Sequence, residues 1–193
     1  MYIRQGTALA AANDKDDIRI YLQDRADPNG PWDKLYNFGK GLYNTSIAIT
    51  PYGSKRLYYQ LTQGNFIEKL YKNAWEDGQF EYKSASWGCP IVAIVSDHPR
   101  VYHLSSTNHL MESVIFEMGP NSNCLDKEAL DGSQLAVLEY DHNIRIYLQD
   151  EKEGTTISEY GYYHETGNWV SGRSVLPSEN VNVLMSETSN SEL

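Results

Sequence analysis

With 193 residues the chain is long enough to bury a core as a single domain. Its formal net charge of -10 argues against nucleic acid and other polyanions, because phosphate binding is driven by clustered Lys and Arg. No apolar run reaches the roughly 18 residues that cross a bilayer, and Met1–Gly6 lacks the apolar core of a signal peptide, so no membrane insertion and a cytoplasmic or non-classically exported protein are expected.

The first apolar segment, Ala8–Ala12, leads into the octapeptide Asp17-Ile18-Arg19-Ile20-Tyr21-Leu22-Gln23-Asp24. It returns as Asn143-Ile144-Arg145-Ile146-Tyr147-Leu148-Gln149-Asp150, with seven of eight positions identical, and weaker copies lie at Lys55–Gln60 and Pro99–Leu104. Arg19, Arg56, Arg100 and Arg145 are therefore 37, 44 and 45 residues apart, a period of stacked repeats that cannot fold singly.

Each repeat reads as four short strands. Small apolar first strands are expected at Ala8–Ala12, Ile47–Thr50, Ile91–Val95 and Leu135–Leu138, where a crowded inner position would place them. The Arg-bearing second strand alternates strictly, with Ile18 and Ile20 on one face and Arg19 and Tyr21 on the other. Third strands are expected at Trp32–Tyr36, Ile67–Tyr71, Met111–Ile115 and Ser158–Tyr162, and fourth strands at Gly41–Tyr43, Gly78–Phe80 and Gly167–Gly172. Turn signals at Pro51–Ser54, Gln63–Asn65, Asp77–Gly78 and Glu153–Thr155 separate them. Only Asp126–Leu130 reads as a turn of helix.

Four strands with their turns make roughly forty residues, the length of a β-propeller blade. The fold class predicted is all-β, a propeller of four-stranded antiparallel blades, with repeats at about 6–46, 47–88, 89–131 and 132–177. Val181–Met185 reads as the inner strand of a fifth unit within 178–193. A closed four-bladed ring, a ring completed by another copy, and a piece of a longer propeller all remain open.

In every repeat the second-strand Arg is followed by a third-strand acid, 12 residues on for Arg56/Glu68 and Arg100/Glu112, and 14 for Arg19/Asp33 and Arg145/Glu159. On adjacent antiparallel strands this spacing puts guanidinium and carboxylate side by side, pointing into a cleft between blades. Such a pair either neutralises itself at a partly buried position or offers donors and acceptors to the vicinal hydroxyls of a sugar. Rings that would wall such a sugar stand nearby: Tyr162 and Trp169 in repeat four, Tyr71 and Phe80 in repeat two, Tyr36 and Tyr43 in repeat one. The excess of Tyr (15) over Phe (4) favours rings with a polar edge, suited to half-exposed surfaces.

The pattern I-R-x-Y, a Glu about a dozen residues on, an aromatic three after it and a G-x-W-x-x-G ending is nearly complete in repeat four: Ile144–Tyr147, Glu159, Tyr162 and Gly167–Gly172. Across residues 6 to 177 it resembles the fungal fucose-specific lectin family, the Aleuria-type six-bladed propellers and their two-bladed bacterial relatives. The resemblance implies fucosylated glycans as partners, with Arg and Glu from one blade and two aromatics from the next around each sugar. Carried over, Arg100 and Glu112 pair with Tyr162 and Trp169, the best-matched cleft. Arg56 and Glu68 face Ile115 where the aromatic belongs. Arg19 and the shorter Asp33 pair with Tyr71 and Phe80. Arg145 and Glu159 need Tyr36 and Tyr43, through ring closure or another subunit, which makes a homo-oligomer one of the expectations.

Two rival functions remain. A propeller glycosidase would need paired carboxylates around one sugar, whereas an Arg-paired Glu is a permanent acceptor. A protein-interaction scaffold would use the Arg/Glu pairs structurally. His98, His103, His109, His142 and His164 have no metal-ligand spacing, and no nucleophile elbow or phosphate loop occurs, so neither metal nor cofactor is expected. Cys89 and Cys124 lack CxxC spacing and read as buried free thiols.

Overall fold

The computed structural model describes residues 9–14, 17–22, 41–42, 45–50, 55–150 and 156–174. Strands β1 (Leu9–Asp14) and β2 (Asp17–Leu22) form a hairpin. Three four-stranded antiparallel sheets follow in chain order. The first holds β3 (Ile47–Thr50), β4 (Lys55–Gln60), β5 (Phe66–Tyr71) and β6 (Trp75–Tyr82). The second holds β7 (Ile91–Val95), β8 (Pro99–Leu104), β9 (His109–Phe116) and β10 (Gly119–Glu128). The third holds β11 (Ala136–Tyr140), β12 (Asn143–Gln149), β13 (Ile157–Tyr163) and β14 (Asn168–Ser174). First strands lie beside first strands, β1 to β3, β3 to β7 and β7 to β11, the neighbour relation of propeller blades.

Every second strand follows its repeat motif because alternating branched and aromatic residues suit a pleated strand with two useful faces. Burial reports how many neighbours each sheet has. In β8, between two sheets, every residue after Pro99 is buried. In β12, buried Ile144, Ile146 and Leu148 alternate with half-buried Asn143, Arg145, Tyr147 and Gln149, since among the described residues only one face of that sheet packs against a neighbouring sheet. Each of these buried aliphatic side chains contributes roughly 1.5–3 kcal/mol. The core joins the sheets through Tyr58, Phe66 and Phe80 of repeat two, Val101, Tyr102 and Leu110 of repeat three, and Ile144, Ile146 and Leu148 of repeat four. The β11–β12 hairpin turns on Asp141 (φ 50°) and His142 (φ 58°), the two positive φ values of a two-residue turn matched to strand twist.

Three features differ from the sequence-based expectation. Asp126–Leu130 is not helical: β10 runs to Glu128 through a bulge in which Asp126 has φ 53°, and Ala129 bridges to Asp150. Pairing with β9, and an ion pair between Lys127 and the buried Asp150, override the local helix preference. Repeat three therefore has a fourth strand that its polar sequence concealed. Cys124, on that outermost strand, is exposed, while Cys89 is buried with its thiol pushed up to about 11 by desolvation. The strands expected at Trp32–Tyr36 and Val181–Met185 lie outside the described residues; of Gly41–Tyr43, Gly41 forms a single bridge to Leu61.

Candidate functional site

On each four-stranded sheet the recurring Arg is part of a three-residue unit. Strand register places Tyr58 opposite Glu68, Tyr102 opposite Glu112 and Tyr147 opposite Glu159. The Arg two residues earlier projects from the same face. Each tyrosine hydroxyl donates to its Glu, at 3.1, 3.0 and 2.9 Å respectively. Burial, reinforced by the carboxylate, holds the Tyr58 and Tyr102 hydroxyls well above the usual range, so they remain donors. Sequence reasoning placed this tyrosine on the Arg face and in the I-R-x-Y pattern but gave it no role at the carboxylate, although R-x-Y recurring in all four copies was the available signal.

The three units differ in what remains of the carboxylate. Glu68 is 1% exposed. Its Oε1 accepts from Arg56 Nη1 at 2.5 Å and from Tyr58, and its Oε2 accepts from the backbone N–H groups of Gln79 and Phe80 at 2.9 and 3.3 Å. A bulge explains this: Gly78–Phe80 stand opposite the single residue Glu68, turning two N–H groups inward. A side chain at Gly78 would overlap the carboxylate. All the acceptor capacity of Glu68 is used.

Glu112 sits opposite Asn123 in regular pairing, with the bulge displaced to Cys124–Glu128. Its Oε1 accepts from Arg100 Nη1 at 2.7 Å and from Tyr102, but its Oε2 accepts from no described residue and is not fully sealed, in a side chain that is 6% exposed. Asp97 grips the other edge of Arg100, accepting from Nε at 3.1 Å and Nη2 at 2.9 Å. Burial opposes ionisation of Asp97, yet hydrogen bonds and charge from Arg100 outweigh it and hold the carboxyl below its usual range. Its place three residues before Arg100, beside the β7–β8 turn, puts Asp97 within reach of the guanidinium. Besides this contact with Glu112, Nη1 of Arg100 donates to no other carboxylate among the described residues.

Repeat four brings its aromatic pair to this unit. The Arg100 guanidinium lies 5.0 Å from the centre of the Tyr162 ring. Trp169 meets Tyr102 edge-on at 5.9 Å, and its ring stacks on Tyr160 at 5.1 Å. Trp169 is partly buried, wedged against the core but not sealed by it, and its indole N–H makes no hydrogen bond to a described residue. Contacts between repeats three and four thus bring the Arg100, Tyr102 and Glu112 unit against Tyr162 and Trp169. Among the described residues, a Glu112 oxygen and the Trp169 indole N–H have no hydrogen-bond partner there.

The other candidate residues are arranged differently. Tyr162 pairs with Trp169 across β13 and β14, and the matching pair in repeat two is Tyr71 with Trp75. Phe80 instead lies on the Glu68 side, 2% exposed, packed edge-on against Tyr58 and against His103 of repeat three. It cannot line a cleft toward repeat one. Trp75 was missed because its hairpin is shorter, four residues from Tyr71 where Trp169 follows Tyr162 by seven. In repeat three the same two positions hold Ile115 and Pro120, which leaves Arg56 and Glu68 without rings. Arg145 and Glu159 are looser, 3.7 Å apart and 16% and 26% exposed, with the Arg145 guanidinium 4.6 Å from its own sheet's Tyr163. Arg19 lies on β2, where nothing is described of its side chain; Asp33, Tyr36 and Tyr43 lie outside the described residues. Among the described residues no group of His, Cys, Asp or Glu is arranged to hold a metal ion.

These features recur in known proteins. The family profile described as fungal fucose-specific lectin matches residues 25–179. A fucose-specific lectin of Arthroderma benhamiae is 28% identical over 166 residues, 76% of this chain and 45% of that protein. The structure of SapL1 lectin in complex with alpha methyl fucoside superposes with a TM-score of 0.72 at 24% identity, covering 90% of this chain and 65% of that one. AofleA from Arthrobotrys oligospora gives 0.70 at 22%, covering 90% and 58%. Aleuria aurantia lectin, described as a six-bladed β-propeller with a novel fucose recognition mode, gives 0.62 at 23%, covering 83% and 52%. The chain thus spans between about half and two thirds of the length of these relatives, and the sheet arrangement is that of propeller lectins. On the match over residues 25–179, together with the repeated Arg, Tyr and Glu units, the chain belongs to the fungal fucose-specific lectin family.

Proposed function

We propose that the protein binds L-fucose or fucosylated glycans, without turnover, in the cleft formed by Arg100, Glu112, Tyr162 and Trp169. The observation that carries the reading is the open Oε2 of Glu112 beside an aromatic pair. Two vicinal sugar hydroxyls would be held, one donating to Glu112 and one accepting from Arg100, with the indole N–H of Trp169 reaching a third oxygen. The apolar C–H face of the sugar would rest on the rings. Asp97 keeps Arg100 aimed at Glu112 rather than at solvent. Glycoside hydrolysis would need a carboxyl protonated near neutral pH, and Asp97, held ionised by Arg100, cannot supply it.

Further sites are proposed at Arg19 and Asp33 with Tyr71 and Trp75, and at Arg145 and Glu159 once a neighbouring blade covers them. Residues 6–46 are proposed as the first blade. The Arg56 and Glu68 unit is proposed to be structural, since its carboxylate is saturated and it faces Ile115 and Pro120. This one unit fits the rival reading as an interaction scaffold. Titration of L-fucose by calorimetry tests the proposal. The wild type should bind, and Glu112→Gln should bind about tenfold or more weakly, the worth of a hydrogen bond to a charged group. No heat from wild type at millimolar sugar would overturn the reading.

A further inference from the structure

Beside the proposed fucose cleft, at the end where the β7–β8, β11–β12 and β13–β14 hairpins meet, lies a groove of about 280 Å³ lined by Ser96, Asp97, Glu139, His142 and His164. We infer that this groove is a subsite for the uncharged saccharide residue next to the bound fucose, and that its carboxylates exclude glycans bearing sulfate or carboxylate there. The inference rests on the proposed fucose site and names what lies next to it.

Continuity between groove and cleft follows from strand register. Glu139 pairs with Ile144, Ile144 with Tyr162 and Tyr162 with Trp169, so one row across the third sheet runs from the groove to the aromatic pair on a single face. The opposite wall is continuous as well, because Asp97 in the groove is hydrogen-bonded to Arg100 in the cleft. Two contacts hold the rims in register: Ser96 Oγ meets His164 Nε2 at 3.1 Å between repeats three and four, and His164 packs edge-on against Tyr162 at 5.0 Å. A ligand leaving the Tyr162 face toward the hairpin end therefore enters the groove.

The size and lining define the ligand class. A volume of about 280 Å³ is near the lower limit of small-molecule sites, suited to one pyranose ring rather than an extended chain. Carboxylate acceptors from Asp97 and Glu139, a serine hydroxyl and imidazole nitrogens match a ring of hydroxyls, each both donor and acceptor. Charge sets the exclusion. Groove and cleft together carry three carboxylates, Asp97, Glu112 and Glu139, against one guanidinium, Arg100, which Asp97 and Glu112 already engage. An anionic substituent would meet like charge, and no lysine or arginine lines the groove.

The test is a calorimetric comparison of methyl α-L-fucoside, fucosyl-N-acetylglucosamine disaccharides of α1-3 and α1-6 linkage, and the same disaccharides sulfated on the second residue. Wild type should bind at least one neutral disaccharide threefold or more tighter than the monosaccharide, and its sulfated form tenfold or more weakly than the neutral one. Glu139→Gln and His142→Ala, neither of which belongs to the fucose cleft, should leave the methyl fucoside affinity unchanged and reduce the disaccharide advantage below twofold. Glu139→Gln should also relax the exclusion of sulfate. A monosaccharide that binds as well as every disaccharide, or an advantage that survives both substitutions, would overturn the subsite alone. Absence of methyl fucoside binding would overturn the fucose reading and the subsite with it.

Discussion

His103 replaces an apolar side chain in the middle of the core, and its cost should appear on acidification. Tyr59 and Leu148 hold the matching positions of repeats two and four, three residues after the Arg. The imidazole is fully buried among Phe66, Phe80 and Tyr82, with the Tyr82 ring 4.1 Å away. Its Nδ1 meets the Leu104 carbonyl at 3.3 Å, and its Nε2 has no partner. Desolvation outweighs that one hydrogen bond and lowers its pKa from 6.5 to about 4. The folded protein therefore refuses a proton that the unfolded chain accepts. The stability contributed by a neutral His103 is complete above about pH 6.5 and is lost as pH falls through about 4. At about 1.36 kcal/mol per unit, the loss at pH 4 is about 3 kcal/mol. Urea unfolding of wild type and His103→Leu at pH 8 and pH 4 measures it, the variant subtracting the carboxylates common to both. Wild type should lose about 3 kcal/mol more than the variant between the two pH values. Equal losses would refute the argument that a sealed, unpartnered imidazole resists protonation.

Two other outcomes follow from burial. Glu68→Gln replaces an acceptor that serves Arg56, Tyr58 and two backbone N–H groups; it should lower unfolding free energy by about 3 kcal/mol in urea titration, as breaking a buried pair does, without removing fucose binding. Thiol labelling of the native protein should modify exposed Cys124 quickly and leave buried Cys89, raised to about 11, unreacted until denaturant is added; simultaneous labelling of both would contradict the packing around Cys89.

The four-strand repeat, the Arg anchors and their carboxylates were legible in the chain because strand alternation has a fixed period of two, and a repeated motif exposes both strand and spacing. That Arg100 and Glu112 should stand beside Tyr162 and Trp169 came from the family resemblance and not from the period, and the structure brings Arg100 to Tyr162 and Tyr102 to Trp169. What the sequence could not reveal depends on register and on who covers whom. Trp75 was hidden by a hairpin three residues shorter than the one before Trp169, because hairpin length moves a residue along the sequence while register keeps it in place. Glu68 and Glu112 sit in equivalent sequence patterns, yet a bulge at Gly78–Phe80 consumes one carboxylate and regular pairing with Asn123 leaves the other open. The sequence by itself determined an all-β repeat with an Arg and an acid on one face of each unit. Only the tertiary structure decided which of those acids retains an unpaired oxygen, because that depends on backbone N–H groups whose direction is set by a bulge rather than by any side chain.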